Sequence, residues 1–404
     1  MGRWAPDWDL LINGASIPAE YRALIDSIEV DATVDGADEL TIRASGWSSL
    51  RNDYMLLGET LLSFGNLVVV RMGWHAPDGE VLTLQRFRML RERATYPRDA
   101  PPSVIFRGLS AEHLLVEHTR ARKFQPGDLI TDIAEDLAQE HGLNTVNVSV
   151  DLATTADKGA VKAKGTTDLQ YLQRLAFDND YGPPYCRYDE ALDTDGLIFE
   201  RTQIGKRGGP LTFTYNPHVA GSEAPFGTCY SFEATLSLAG QPTKVEITGW
   251  DPIAQEAIQV TVEITDGGQQ TTVQTGTEVG KIPETLKQGS QLQVAVLNSA
   301  QSNPATEKKE SIAVATVQTT EDALAFAERW IRTRNQAFMT ARAEVKGTPE
   351  LWVGQIHTFD GLAPHHVGYW EVLGCRHTMD RQGYRCSLDL ARVIEDDAEQ
   401  PTEV

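Results

Sequence analysis

From Ser27 to about Leu109 apolar and polar residues alternate in short runs separated by turn chemistry. In SIEVDATVDGADELTIRA the apolar positions Ile28, Val30, Ala32 and Val34 recur every second residue, the period of a strand with one buried face. LVVVRMGW and LQRFRMLRERATY read as further strands. Asp35-Gly36 and Asp78-Gly79 are the expected turns, because glycine tolerates the backbone angles of a tight reversal. This segment predicts a small barrel or sandwich.

Past Ser110 the apolar period changes from two to that of a helix. DLITDIAEDLAQEHG places Leu129, Ile130, Ile133, Ala134, Leu137 and Ala138 on one face, with Asp128 as the expected opening cap and Gly142 as the stop. TTDLQYLQRLAFDNDYG predicts a second helix with Leu169, Leu172, Leu175 and Ala176 as its stripe, and Thr167 and Gln170 at capping-box spacing. YCRYDEALDTDGLIFERT then reads as a hairpin with Asp195-Gly196 at the turn. Together these predict a compact α+β part between β-rich parts.

Strands resume from about Thr228 in CYSFEATLSL, KVEITGWDP and IQVTVEIT. A Gln/Thr/Gly/Ser-rich stretch from Gly267 to about Lys309 reads as an insertion with room for a hairpin of its own. A third helix is expected in EDALAFAERWIRTRNQAF, with Leu324, Ala327, Trp330 and Ile331 at core spacing and Thr319 and Asp322 as the capping pair. Short strands follow in FMTARAEVKG, LWVGQIHTF, GYWEVLGCRHTMD and GYRCSLDLARV, and the tail EDDAEQPTEV is acidic. The two β-rich parts share a loose order of strands and turns, a weak internal repeat.

At 404 residues the chain is long enough for two or three domains. Its 57 acidic against 36 basic residues give a net charge of −21, which repels nucleic acid and anionic lipid and argues against sequence-specific nucleic-acid binding. No run approaches the length of a membrane span, because LLSFGNLVVVRMGW is interrupted by Gly, Asn and Arg. The N-terminus MGRWAPDWDLL shows no basic stretch leading into an apolar core, so Sec export is not expected.

The search for chemistry yields no candidate catalytic, cofactor-binding or metal-ligating residue. EHLLVEH, with His113, Glu117 and His118, has neither of the zinc-protease spacings, and His365-His366 are adjacent beside Pro364. Aligning DTDG as a calcium loop leaves Ala191 and Thr202 at two ligand positions that need carboxylates. Cys186, Cys229, Cys375 and Cys386 are widely spaced without a CxxC pair and read as reduced or buried thiols. GxSxG, GxxxxGK[ST] and strand-linked GxGxxG motifs are missing. Trp47, Trp74, Trp250, Trp352, Tyr369 and Trp370 are spread through strands and turns, where aromatics fill cores and interfaces.

In order and spacing, FRGLSAEHLL, FQPGDLITDIAEDLAQEHGL, GTTDLQYLQRLAFDNDYG, KVEITGWDP, TTEDALAFAERW, PELWVGQIHTF and VGYWEVLGCRHTMDRQGYRCSLDLAR resemble the late control D family of phage tail proteins. That family includes baseplate hub proteins and the N-terminal hub part of type VI secretion spikes. The resemblance implies a β-rich α+β fold with two related tube-like β-barrel domains, at 1–109 and 228–395, the second carrying the polar insertion at about 267–309. An α+β domain at 110–227 lies between them, and 396–404 is an acidic tail. Gly354 with Gln355-Ile356, Gly368-Tyr369, His377, Gly383-Tyr384 and Arg392 resemble the family's fold markers, and Trp250-Asp251-Pro252 looks like a strand exit.

The implied function is structural: a non-enzymatic homotrimeric hub, without cofactor, that adapts a sixfold tail tube to a threefold central spike around a channel. Its expected partners are the spike, the tail tube or tube-initiator protein, and other baseplate proteins. It would reside in a virion tail baseplate or injection particle after assembly in the bacterial cytoplasm. Two other readings stay open: a tail-associated cell-wall hydrolase, which needs a carboxylate pair in a cleft, and a peripheral glycan-binding adhesin, which needs an exposed aromatic platform.

Overall fold

The computed structural model describes residues 5–34, 36–48, 53–56, 61–75, 81–117, 119–148, 161–179, 181–200, 211–216, 228–237, 244–251, 255–265, 268–275, 278–282, 309–313, 319–320, 323–324, 326–327, 330, 339–364 and 366–393. The chain divides into two compact units. The first comprises Met1–Phe232, Arg342–Gln355 and Val372–Asp389, and the second Glu233–Ala341, Ile356–Glu371 and Leu390–Val404. Both are rich in strands, with few helices.

The first unit opens with β1 (Ala5–Ile12), β2 (Ile25–Thr33), β3 (Glu39–Ser45), β4 (Leu67–His75), β5 (Val81–Thr95) and β6 (Ser103–Leu109). The predicted alternation is realised at Ile28, Val30 and Ala32 of β2, which are fully buried, whereas Val34 lies half-buried in the turn past the strand; Leu40 and Ile42 of β3, Val68, Val70 and Met72 of β4, and Phe87 of β5 are also fully buried. The Asp78-Gly79 turn lies outside the described residues, and so does Asp35 of the Asp35-Gly36 turn.

Next come α1 (Glu112–Glu117), α2 (Ile130–Glu140), β7 (Asn144–Val148), α3 (Asp168–Asp178), β8 (Tyr185–Asp189) and β9 (Thr194–Phe199). β9 pairs parallel with β7 and antiparallel with β8. Ile133, Ala134, Leu137 and Ala138 of α2 meet Leu169, Leu172, Leu175 and Ala176 of α3 in one core, closed by Leu197 and Phe199 of β9. α3 carries the expected capping box: the Thr167 hydroxyl accepts the Gln170 N–H and the Gln170 side chain accepts the Thr167 N–H, both at 3.1 Å.

Two expectations change in detail. Asp128 does not cap α2; its carboxylate accepts the Gln125 N–H at 2.7 Å and tightens the preceding turn, so the helix starts at Ile130 after an extended Leu129. Gly142 does close it, in the left-handed conformation at φ +70°. The predicted hairpin forms, but Asp195 and Gly196 pair with Tyr188 and Arg187 inside the ladder. The reversal is made by residues 190–193, where Asp193 takes φ +50° and Asp189 accepts the N–H groups of Ala191 and Leu192.

The later strands are β10 (Cys229–Leu236), β11 (Lys244–Asp251), β12 (Glu256–Thr265), β13 (Gly268–Thr275), β14 (Glu278–Ile282), β15 (Lys309–Ala313), β16 (Met339–Lys346), β17 (Ile356–Asp360), β18 (Gly368–Asp380) and β19 (Gly383–Arg392). The main sheet of the first unit follows the hydrogen-bonded order β10-β16-β19-β18-β2-β3-β6-β5-β4-β1. β18 joins β2 antiparallel, with His377 opposite Val30 and Asp380 opposite Ser27. Residues near the end of the chain therefore complete a sheet begun at its start.

In the second unit a separate sheet has the order β14-β13-β12-β11-β15. β13 and β14 are an antiparallel hairpin within the polar insertion, and residues 283–308 lie outside the described set. The third helix is seen at Thr320, Ala323, Leu324, Phe326, Ala327 and Trp330. Its described buried residues are Ala323, Phe326 and Ala327, so the apolar face is turned from the predicted stripe, with Leu324 and Trp330 only half-buried. Asp322 and Ile331 lie outside the described residues. Among the described residues no helix is long and apolar enough to cross a membrane.

Candidate functional site

Two buried polar clusters stand out, both within the first unit. One lies where the early strands meet the α+β part. Glu112, in the first turn of α1, is almost fully buried; its carboxylate accepts the Cys186 N–H at 2.6 Å and the Ser110 hydroxyl. The Asp38 N–H donates to the Ser110 oxygen at 2.8 Å, and Gln85 of β5 donates to the Cys186 carbonyl at 2.8 Å while accepting the Tyr188 N–H at 2.9 Å. Burial pushes the Glu112 carboxyl up to about 7, and burial together with Glu112 raises Asp38. These two carboxyls are sealed by backbone and amide partners. They lack the open cleft that a hydrolase needs.

Arg86 secures the same junction from the adjacent position of β5. It forms bonds of 2.8 to 3.2 Å to both Asp195 carboxylate oxygens, and its guanidinium lies 4.5 Å from the Tyr188 ring centroid. A planar guanidinium suits this combination of forked bonding and stacking.

The second cluster lies on the closing hairpin. Cys375 and His377 sit two apart on β18, and Tyr384 and Cys386 two apart on β19, so each pair faces one side of the sheet. All four are buried. The His377 Nε2 lies 2.9 Å from the Leu351 carbonyl, and the Tyr384 hydroxyl 2.8 Å from Nδ1. A carbonyl only accepts, so Nε2 carries the proton and Nδ1 accepts from the tyrosine. The Cys386 Sγ is 3.3 Å from Nδ1 and the Cys375 Sγ 3.3 Å from Nε2. Burial keeps Cys375 high. The sequence spacing rules missed this set because its ligand-type residues alternate on two strands instead of repeating as CxxC.

The other residues weighed from sequence are placed as follows. His113 is buried with Nδ1 2.6 Å from the Ser110 carbonyl, Glu117 ends α1, and His118, His365 and Thr202 lie outside the described residues. All four cysteines are buried thiols, as expected. Trp352 and Trp370 are buried, Trp74 donates its indole N–H to the Gly347 carbonyl at 2.7 Å, and Trp47 packs edge-on to Tyr54. Trp250 is exposed. Gly354 takes φ +72° and donates to the Val372 carbonyl at 2.7 Å. At Gly368, with φ +127°, a β-carbon would fall 2.5 Å from the Arg392 guanidinium.

Neither a protein-family model nor a curated protein sequence matches this chain. Its fold is that of phage tail proteins and type VI secretion spike proteins. It is similar over 96% of its length to 97% of a tail protein from Neisseria meningitidis, at a TM-score of 0.64 and 11% identity. Against the 43 kDa tail protein of prophage MuSo2 from Shewanella oneidensis the values are 95%, 97%, 0.61 and 12%. An E. coli type VI secretion component, described as structurally similar to T4 phage tail proteins, aligns over 96% of this chain and 77% of its own at 0.52 and 10%.

Proposed function

We propose that this chain is the baseplate hub of a phage tail or related contractile injection machine, a homotrimer that joins a sixfold tail tube to a threefold central spike around a channel. The observation that carries this reading is the end-to-end likeness to a phage tail protein, covering 96% of this chain and 97% of the other. Likeness to a chain of a PdpA–VgrG complex, over all of this chain and 68% of that one, supports association with a spike. Under this reading the domains are two related tube-like barrels, 1–109 and 228–395, an α+β domain at 110–227 and an acidic tail at 396–404. The partners are the spike, the tube or tube initiator, and other baseplate proteins.

The role is mechanical and non-enzymatic, and the protein belongs to the virion or injection particle. The net charge of −21 per chain would let a polyanion pass a trimer's lumen with little adhesion. The test is mass photometry of the purified protein alone and mixed with its spike. A threefold mass in either sample supports the hub, whereas a monomer that ignores the spike overturns it.

A further inference from the structure

We propose that Cys375, His377, Tyr384 and Cys386 form a buried structural site for zinc. One ligand atom from each of Cys375, His377 and Cys386 lies within 4.8 Å of the others. A tetrahedral zinc with sulfur at about 2.3 Å and nitrogen at about 2.0 Å holds such donors roughly 3.5 Å apart, so the three donors would close in around the ion. The 3.3 Å between Cys386 Sγ and His377 Nδ1 already has that length.

The imidazole is oriented as a ligand would be. Its Nε2–H donates to the Leu351 carbonyl at 2.9 Å, and its Nδ1 lone pair, which accepts the Tyr384 hydroxyl at 2.8 Å, lies 3.3 Å from the Cys386 sulfur; zinc at Nδ1 would replace the tyrosine's proton and draw in the Cys375 sulfur, which lies 3.3 Å from Nε2. A ligating histidine characteristically anchors its other nitrogen on a backbone carbonyl. Two sulfurs and one nitrogen select zinc over calcium or magnesium, which take oxygen. The Tyr384 oxygen, 2.8 Å from Nδ1, would be the fourth donor once its hydroxyl loses the proton that it now shares with Nδ1. Burial of all four residues makes the site closed rather than catalytic. Zinc would tie β18 to β19 in the hairpin that completes the first unit's sheet. The inference does not depend on the hub reading.

The test is metal analysis of the untagged, reduced full chain grown with zinc, followed by replacement with cobalt. One zinc per chain is expected, with thiolate-to-cobalt charge-transfer and tetrahedral d–d bands after exchange. Cys375→Ser and Cys386→Ser should lose the metal, and Cys229→Ser should retain it. Cobalt spectra of the unaltered protein report sulfur ligation even if a site variant fails to fold. The proposal is overturned by metal below stoichiometry with no cobalt spectrum after reconstitution. Undiminished binding in the folded Cys386→Ser variant, or a Cys375–Cys386 disulfide in the zinc-grown protein, also overturns it.

Discussion

The Glu112 carboxylate accepts the backbone N–H of Cys186 at 2.6 Å, holding the first turn of α1 against the β8–β9 hairpin across 74 residues of sequence. It does so in nearly complete burial, where the neutral acid is favoured and its pKa rises from 4.5 to about 7. The folded state therefore binds a proton more tightly than the unfolded chain. This contribution is full below the unfolded value and is lost as pH rises to about 7, by ~3 kcal/mol for such a shift. Glu112→Gln should flatten that part of the stability profile, as read by urea melts from pH 4.5 to 8.

His357 of the second unit acts with the opposite sign. Burial lowers its pKa from 6.5 to about 4, so its contribution is present above 6.5 and lost as pH falls towards 4. His357→Gln should reduce acid sensitivity over that interval. Hydrogen exchange of β17 amides, followed against pH, separates this effect from that of Glu112.

Asp168 sits between two partners in the α+β core, Lys162 and His141, the latter at 2.9 Å. Both Lys162 and Asp168 are almost fully buried. Lys162→Met removes the charged partner of a buried carboxylate, leaving the His141 contact, and should cost about 3 kcal/mol. Adding Asp168→Asn should recover much of that loss, and a double-mutant cycle by chemical denaturation checks the coupling.

Gly347 lies directly beneath the Tyr384 ring, where an added β-carbon would overlap the ring carbons. Its carbonyl also receives the Trp74 indole N–H. Gly347→Ala should lower stability by about 2 kcal/mol or more through overpacking, with a change in tryptophan fluorescence as Trp74 is displaced.

Thr167→Ala removes one half of the α3 capping box. The expected loss is ~1 kcal/mol, measurable as a lower midpoint in a urea melt, while Thr167→Ser should retain most of the stability.

The local elements were legible because their causes are local. Ile28, Val30 and Ala32 alternate because a strand exposes every second residue to the core, and Thr167 with Gln170 announces a helix start within four residues. The DTDG turn misled because Asp-Gly chemistry suits a reversal, yet Asp195 is drawn into the ladder by Arg86, a residue 109 positions away. Asp128 was misplaced because Gln125, not the helix, takes its carboxylate.

What the sequence by itself determined was the order of strands and helices, the buried thiols and the ordered motifs that resemble a tail protein. Only the tertiary structure decided that β18 pairs with β2, that Glu112 meets Asp38 in a sealed network, and that Cys375, His377, Tyr384 and Cys386 share one buried site. Alternation tells which face of a strand is buried but not which strand lies beside it. Pairing between distant segments is set by mutual packing and backbone hydrogen bonding that no short window of sequence contains.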